Sequence, residues 1–166
     1  MPPPTWSVGE VLASADVNSW FVPLVAIKAS DTSRSTTSQT NDPDLVITVA
    51  ANATYEFRLW LNYEGPAQGT ADLKLGLSVP ASATARTSNT YVNSSGGSVV
   101  EGYYASGGTA LVPGTNGSGN IRGFRMVGTL VTSSTSGSLA LSWAQNTASG
   151  STTIHTGSIL KAWRVS

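Results

Sequence analysis

The chain has no cysteine and a single histidine, and only 11% of its 166 residues are charged. Without cysteine it has no disulfide staple, no thiol nucleophile and no thiolate metal site, so zinc held through cysteine is excluded. At this length one domain buries roughly 70% of its unfolded surface and needs neither metal nor crosslink to fold. Lys and Arg balance Asp and Glu at nine each. No long-range field then steers the protein to nucleic acid, an anionic membrane or an acidic substrate, and partners are recognised by contact. No apolar run approaches the 18 or so residues of a membrane span. Met1-Pro2-Pro3-Pro4 lacks the basic and apolar regions of a secretory signal.

What is abundant is Ser and Thr, about a quarter of the chain, with 17 glycines and 40% hydrophobic residues. Disordered segments combine high charge with few apolar groups, so this composition describes a folded, neutral, β-rich module. Period-two alternation dominates from residue 45 onward. Leu45, Ile47 and Val49 share one face. Tyr55, Phe57, Leu59, Leu61 and Tyr63 then alternate with Glu56, Arg58, Trp60 and Asn62, which turns Trp60 outward from a strand whose other side is core. Leu73, Leu75, Leu77 and Val79 repeat the pattern until Pro80 ends it. Residues 81–120 are weaker, with short candidates at 90–93, 98–104 and 109–112, and read as loops and short edge strands. Residues 30–41 have no periodicity and read as a connector or extended edge segment. Strands at 121–131, 138–144 and 157–165 close the chain, and the last carries apolar groups on both faces, as a central strand does. Roughly eight short strands without helices between them predict an all-β fold, a jelly-roll-like antiparallel β-sandwich over residues 31–166.

Residues 1–30 form a different kind of segment, an arm with the one helix signal in the chain. Ser14 is placed to cap a first turn at Ala15-Asp16-Val17-Asn18, and Pro23 limits the helix to about two turns. A helix so short is unstable alone. Burying Trp6, Val8, Val11, Leu12, Val17, Trp20 and Phe21 does no more than match the entropy lost in ordering their backbone. The arm is therefore expected to order only against a firm surface: its own domain, a neighbouring copy or a separate scaffold.

The pattern Trp6-x-x-Gly9-Glu10-x-Leu12-x-x-x-Asp16-x-Asn18, followed by Trp20-Phe21-Val22-Pro23-Leu24, resembles the openings of virion structural proteins from phages of actinobacteria. Asp42-Pro43-Asp44-Leu45, Ala53-Thr54-Tyr55-Glu56-Phe57, Ala71-Asp72-Leu73-Lys74 and Val79-Pro80-Ala81 extend the resemblance over the first half of the chain. It implies a non-enzymatic capsid decoration or minor capsid protein, a homotrimer on the outer surface of the virion. The partner implied is the major capsid protein lattice, gripped through Trp6, Val11, Leu12, Trp20 and Phe21. The alternative is a tail-tip or fibre module binding host-surface glycan. Tyr91, Tyr103, Tyr104 and Trp60 are then the candidate aromatics, for glycan or for a subunit interface.

Few residues are arranged for chemistry. His155 lies in Ser151-Thr152-Thr153-Ile154-His155-Thr156-Gly157 with no Gly-x-Ser-x-Gly elbow, and reads as an ordinary strand or loop residue. Asp42 and Asp44 flank Pro43 as turn formers rather than as an acid/base pair, while Glu56 is placed to pair with Arg58 or a cross-strand base. Asp31, Asp42, Asp44 and Asp72 compose no calcium loop. Gly65 to Gly69, Gly96-Gly97 and Gly107-Gly108 lack the lysine and helix of a phosphate site. The expectation is a protein without enzymatic activity, metal or cofactor that binds neither nucleic acid nor membrane.

Overall fold

The structure, a computed structural model, describes residues 7–11, 13, 14, 18, 22–95 and 99–166, and of 99–103 the backbone. Eleven strands follow in chain order among the described residues: β1 (Leu24–Ile27), β2 (Thr32–Arg34), β3 (Thr40–Val49), β4 (Thr54–Glu64), β5 (Leu73–Ser78), β6 (Thr84–Val92), β7 (Val99–Ala105), β8 (Arg122–Val131), β9 (Gly137–Gln145), β10 (Thr152–Ile154) and β11 (Ile159–Arg164). They form two antiparallel sheets. The larger runs β1-β11-β4-β8-β6-β7, with β10 joining β2 to β4, and the smaller runs β3-β9-β5.

The smaller sheet gains a further edge at Leu111. Leu75 and Leu111 exchange both backbone hydrogen bonds at 2.9 Å, and the Leu73 amide donates to the Pro113 carbonyl at 3.1 Å. Counting that segment, the chain alternates between layers: β1, β4, β8 and β11 in one, β3, β5, residues 111–113 and β9 in the other. This winding is a jelly roll, with the β6–β7 hairpin added beside β8.

Alternation drives the packing. Tyr55, Phe57, Leu59, Leu61 and Tyr63 of β4 point inward with Phe124, Met126 and Leu130 of β8 and Leu160 and Ala162 of β11, against Leu45, Ile47, Leu75, Leu139, Leu141 and Trp143 of the facing sheet. Burial pushes the Tyr63 hydroxyl up from its ordinary range, and it donates to the Gly114 carbonyl at 2.9 Å. The last strand does have a neighbour on each side, β1 and β4.

Two expectations are corrected. Residues 81–120 hold more than loops and edge strands, because β6 is nine residues long and lies between β8 and β7. Its inward residues are Ala85, Thr87 and Asn89, all buried, and such small or polar side chains leave no apolar alternation to read. The sandwich begins at Leu24 rather than at residue 31, since β1 pairs with β11 from Leu24↔Ala162 to Ile27↔Ile159. Within residues 30–41 the extended edge segment expected there is present as β2, which pairs with β10. Of the predicted arm helix, Ser14 and Asn18 are described and have helical backbone. Ahead of it, Ser7 to Glu10 make a turn in which Gly9 takes φ 87°. The Ser7 amide donates to Glu10 Oε2 at 2.9 Å and the Glu10 amide to the Ser7 carbonyl at 3.1 Å.

Candidate interaction surface

Because β4 turns every second residue out, its outer face carries Glu56, Arg58, Trp60 and Asn62. Trp60 is 54% exposed and stands between Ile159 of β11 and Arg125 of β8. One step along, Arg58 lies between Lys161 and Val127. Arg58 pairs with Glu56 at 3.0 Å, as expected from sequence, and its guanidinium sits 5.4 Å from the Trp163 ring. That exposed pair adds little stability.

The exposed large apolar residues of the described chain are distributed unevenly. Val25, Ile27, Trp60, Ile121, Val131 and Val165 occupy outward positions on the larger sheet or in line with its strand ends, and the remainder, Val8, Val11, Val22 and Leu24, belong to the arm and its junction with β1. Two groups separate along the strands. Val131 is opposite Thr54, whose carbonyl accepts from the Val165 amide at 2.8 Å, and beside them a depression of about 350 Å³ is bordered by Asn18, Val22, Leu24, Tyr55 and Arg164. Trp60 lies six residues further along β4, about 20 Å away. There a second depression of about 250 Å³ is lined by Trp60, Thr90, Gly123, Phe124 and Arg125.

The other aromatics singled out from sequence are placed differently. Tyr104 is 6% exposed and its hydroxyl accepts from the Leu77 amide at 3.3 Å, so it is a core residue and no part of a surface platform. Tyr91 is half-buried, packed against Phe124 at 5.6 Å between ring centroids. The Tyr103 side chain, Trp6, Leu12, Trp20 and Phe21 lie outside the described residues. Val11 is described and 90% exposed.

Two polar networks hold the sheets behind this face. In the interior, Lys28 donates to Asp42 Oδ2 at 2.9 Å, to Asp42 Oδ1 at 3.1 Å and to Thr32 Oγ1 at 2.8 Å. Asp42 also accepts from Trp143 Nε1 at 3.0 Å and from the amides of Asp44 and Leu45 at 3.0 and 3.1 Å. Asp-Pro-Asp is thus a bulge inside β3, where the pairing with β9 slips between Asn41 and Val46. Arg34 caps the network, its guanidinium 4.1 Å from the Trp143 ring and donating to the carbonyls of Thr40, Asn41 and Trp143.

At the far end of the sandwich from the arm, His155 Nδ1 bonds Asp31 Oδ2 at 2.9 Å, and its Nε2 is 3.7 Å from Glu64 Oε2. Asp31 Oδ1 accepts from the Thr156 amide at 2.7 Å and Glu64 Oε2 from the Gly119 amide at 2.8 Å. The histidine is therefore a tie between loops. No group of three such side chains is placed to hold a metal ion among the described residues.

Two aspartates tie the stability of the fold to pH. Burial pushes the Asp42 carboxyl up, but Lys28 and the two amides outweigh it and hold it below the ordinary range. The Thr156 amide and then His155 do the same for Asp31. A depressed carboxylate contributes stability that is complete above its unfolded value, about pH 4, and is lost as pH falls through the folded value. Urea midpoints measured from pH 7 downward should hold to about pH 4 and fall below it, with a shallower fall in Asp42→Asn. A midpoint at pH 2 equal to that at pH 7 would contradict both assignments.

No family model matches the chain, and no curated protein matches it in sequence. Distant likenesses occur among solved structures. The CBM22-1-GH10 modules of the Clostridium thermocellum endo-1,4-β-D-xylanase 10B, complexed with xylohexaose, align at 8% identity over 85% of this chain and 26% of that one, with a TM-score of 0.29. The VP2 subviral particle of infectious bursal disease virus aligns at 12% identity over 87% and 40%, with a TM-score of 0.22, and the Gx strain of that virus at 12% over 86% and 39%, with a TM-score of 0.26. The chain spans well under half the length of each. The likeness is weak and lies in the all-β architecture.

Proposed function

We propose that the chain is a non-enzymatic subunit of a bacteriophage virion, a capsid decoration or minor capsid protein that attaches through its arm end to the major capsid protein lattice. The observation that carries this reading is the set of exposed apolar groups at that end, Val22, Leu24, Val131 and Val165, with Val8 and Val11 exposed in the arm itself. Apolar surface gathered where the arm joins the sandwich is surface that a partner covers. The arm's sequence resemblance to phage virion proteins names the partner class. Binding the assembled lattice and not its separate parts stabilises the assembled state by mass action.

Removing residues 1–22 leaves β1 intact and tests the anchor. Occupancy on purified particles should fall by about tenfold or more, the equivalent of one or two good apolar contacts, while the melting temperature of the free protein changes little. Full occupancy by the truncated protein sinks the reading. Light scattering on the intact protein should give three times the 17.1 kDa chain mass. A monomer removes the trimer from the proposal.

A further inference from the structure

The depression at Trp60 lies about 20 Å from the arm end and is not needed for attachment. Its shape comes from Gly123, on the outer face of β8 diagonal to Trp60, where an added Cβ would meet nothing within 4 Å. The missing side chain leaves an open floor beside an exposed indole, with Arg125 next to Trp60 on β8 and Thr90 beyond Arg125 on β6. Arg125 is exposed and has no hydrogen-bond or ion-pair partner among the described residues. The carboxylate nearest along β4, Glu56, is taken by Arg58. Glu101, opposite Thr90 on β7, has its backbone two strands from Arg125, roughly 10 Å away.

We propose that this notch binds an acidic sugar. The polarised C–H face of a pyranose ring stacks on the negative face of the Trp60 indole, and the Thr90 hydroxyl meets ring hydroxyls. The sugar's carboxylate or phosphate takes the planar fork of Arg125, a geometry that guanidinium matches bidentately. A neutral sugar would leave that cation unanswered. The inference does not rest on the virion reading, and its test uses the free full-length protein rather than particles.

Affinity electrophoresis through gels carrying acidic polysaccharides decides it, with polygalacturonate, a sialylated polymer and a phosphate-bearing glycan polymer as probes. Fully methyl-esterified polygalacturonate supplies the ring without the charge, and polyglutamate the charge without the ring. At least one acidic polysaccharide should retard the protein, with about tenfold weaker affinity for the ester and for polyglutamate. Trp60→Ala and Gly123→Val should each lose about tenfold, the second by filling the notch while its Cβ enters open space. Unchanged circular dichroism shows that both variants are folded. Indifference to every acidic polysaccharide overturns the proposal. Equal retardation by polyglutamate overturns it too, as does retardation that survives either substitution.

Discussion

Replacing Asp42 with alanine is expected to lower the unfolding free energy by about 3 to 5 kcal/mol, the range measured when one partner of a buried ion pair is removed. Domains of this size are stable by about 5 to 15 kcal/mol in total, so the loss is roughly a fifth or more of the whole. Lys28 and Asp42 are both fully inside the sandwich. Without the carboxylate, the Lys28 ammonium keeps Thr32 and a long 3.5 Å approach to Asp44, while Trp143 Nε1 and two backbone amides lose their acceptor. Urea unfolding at pH 7 measures the effect as a lower midpoint at unchanged slope.

The double variant Lys28→Met/Asp42→Leu separates charge from packing. Removing both charges at similar volume abolishes the stranded ion, and such replacements are often neutral or stabilising. Here the recovery should be partial, because the Trp143 indole and the amides of Asp44 and Leu45 still face an apolar side chain. A double variant no more stable than Asp42→Ala would locate the cost in those donors and not in Lys28. Single variants within about 1 kcal/mol of the wild type would mean that the pair is solvated, as surface pairs are.

This network also marks where sequence reasoning ran out. The strands with large apolar residues at every second position, β3, β4, β5, β8, β9 and β11, were legible because burial needs that alternation on one face. Asp-Pro-Asp was legible as a turn former. That it turns a carboxylate inward onto Lys28 was not, since the two lie 14 residues apart and meet only through the packing of β1 on β3. The outward direction of Trp60 followed from its parity in β4. Gly123 and Arg125 did not follow, because they reach Trp60 through the β4–β8 pairing, and pairing order is a property of the whole topology. Tyr104 stands beside Tyr103 in a Gly-rich stretch with no sign of which is inside. Its partner Leu77 is 27 residues away on the facing sheet.

Gly128 and Gly123 lie on one strand, and the same substitution should act on them with opposite sign. At Gly128 an added Cβ would stand 2.4 Å from the Arg86 carbonyl oxygen and 3.0 Å from the Thr87 Cα. Those are backbone atoms of β6, which cannot rotate away as a side-chain tip can. Gly128→Ala must push β6 off β8 or shift the pairing that runs from Thr84↔Val131 to Thr90↔Arg125. Overpacking of this kind costs about 1 to 3 kcal/mol and more when backbone must move, and Gly128→Val should exceed the upper figure. At Gly123 the alanine meets nothing within 4 Å, and relief from the entropy of a strand glycine should stabilise by roughly 0.5 to 1 kcal/mol. Thermal unfolding of the two alanine variants side by side checks the pair. The contrast isolates β6, the strand that no apolar pattern announced. If Gly128→Ala unfolds with Gly123→Ala, then β6 does not lie against β8 as closely as the register requires, and Thr90 is not held beside Arg125.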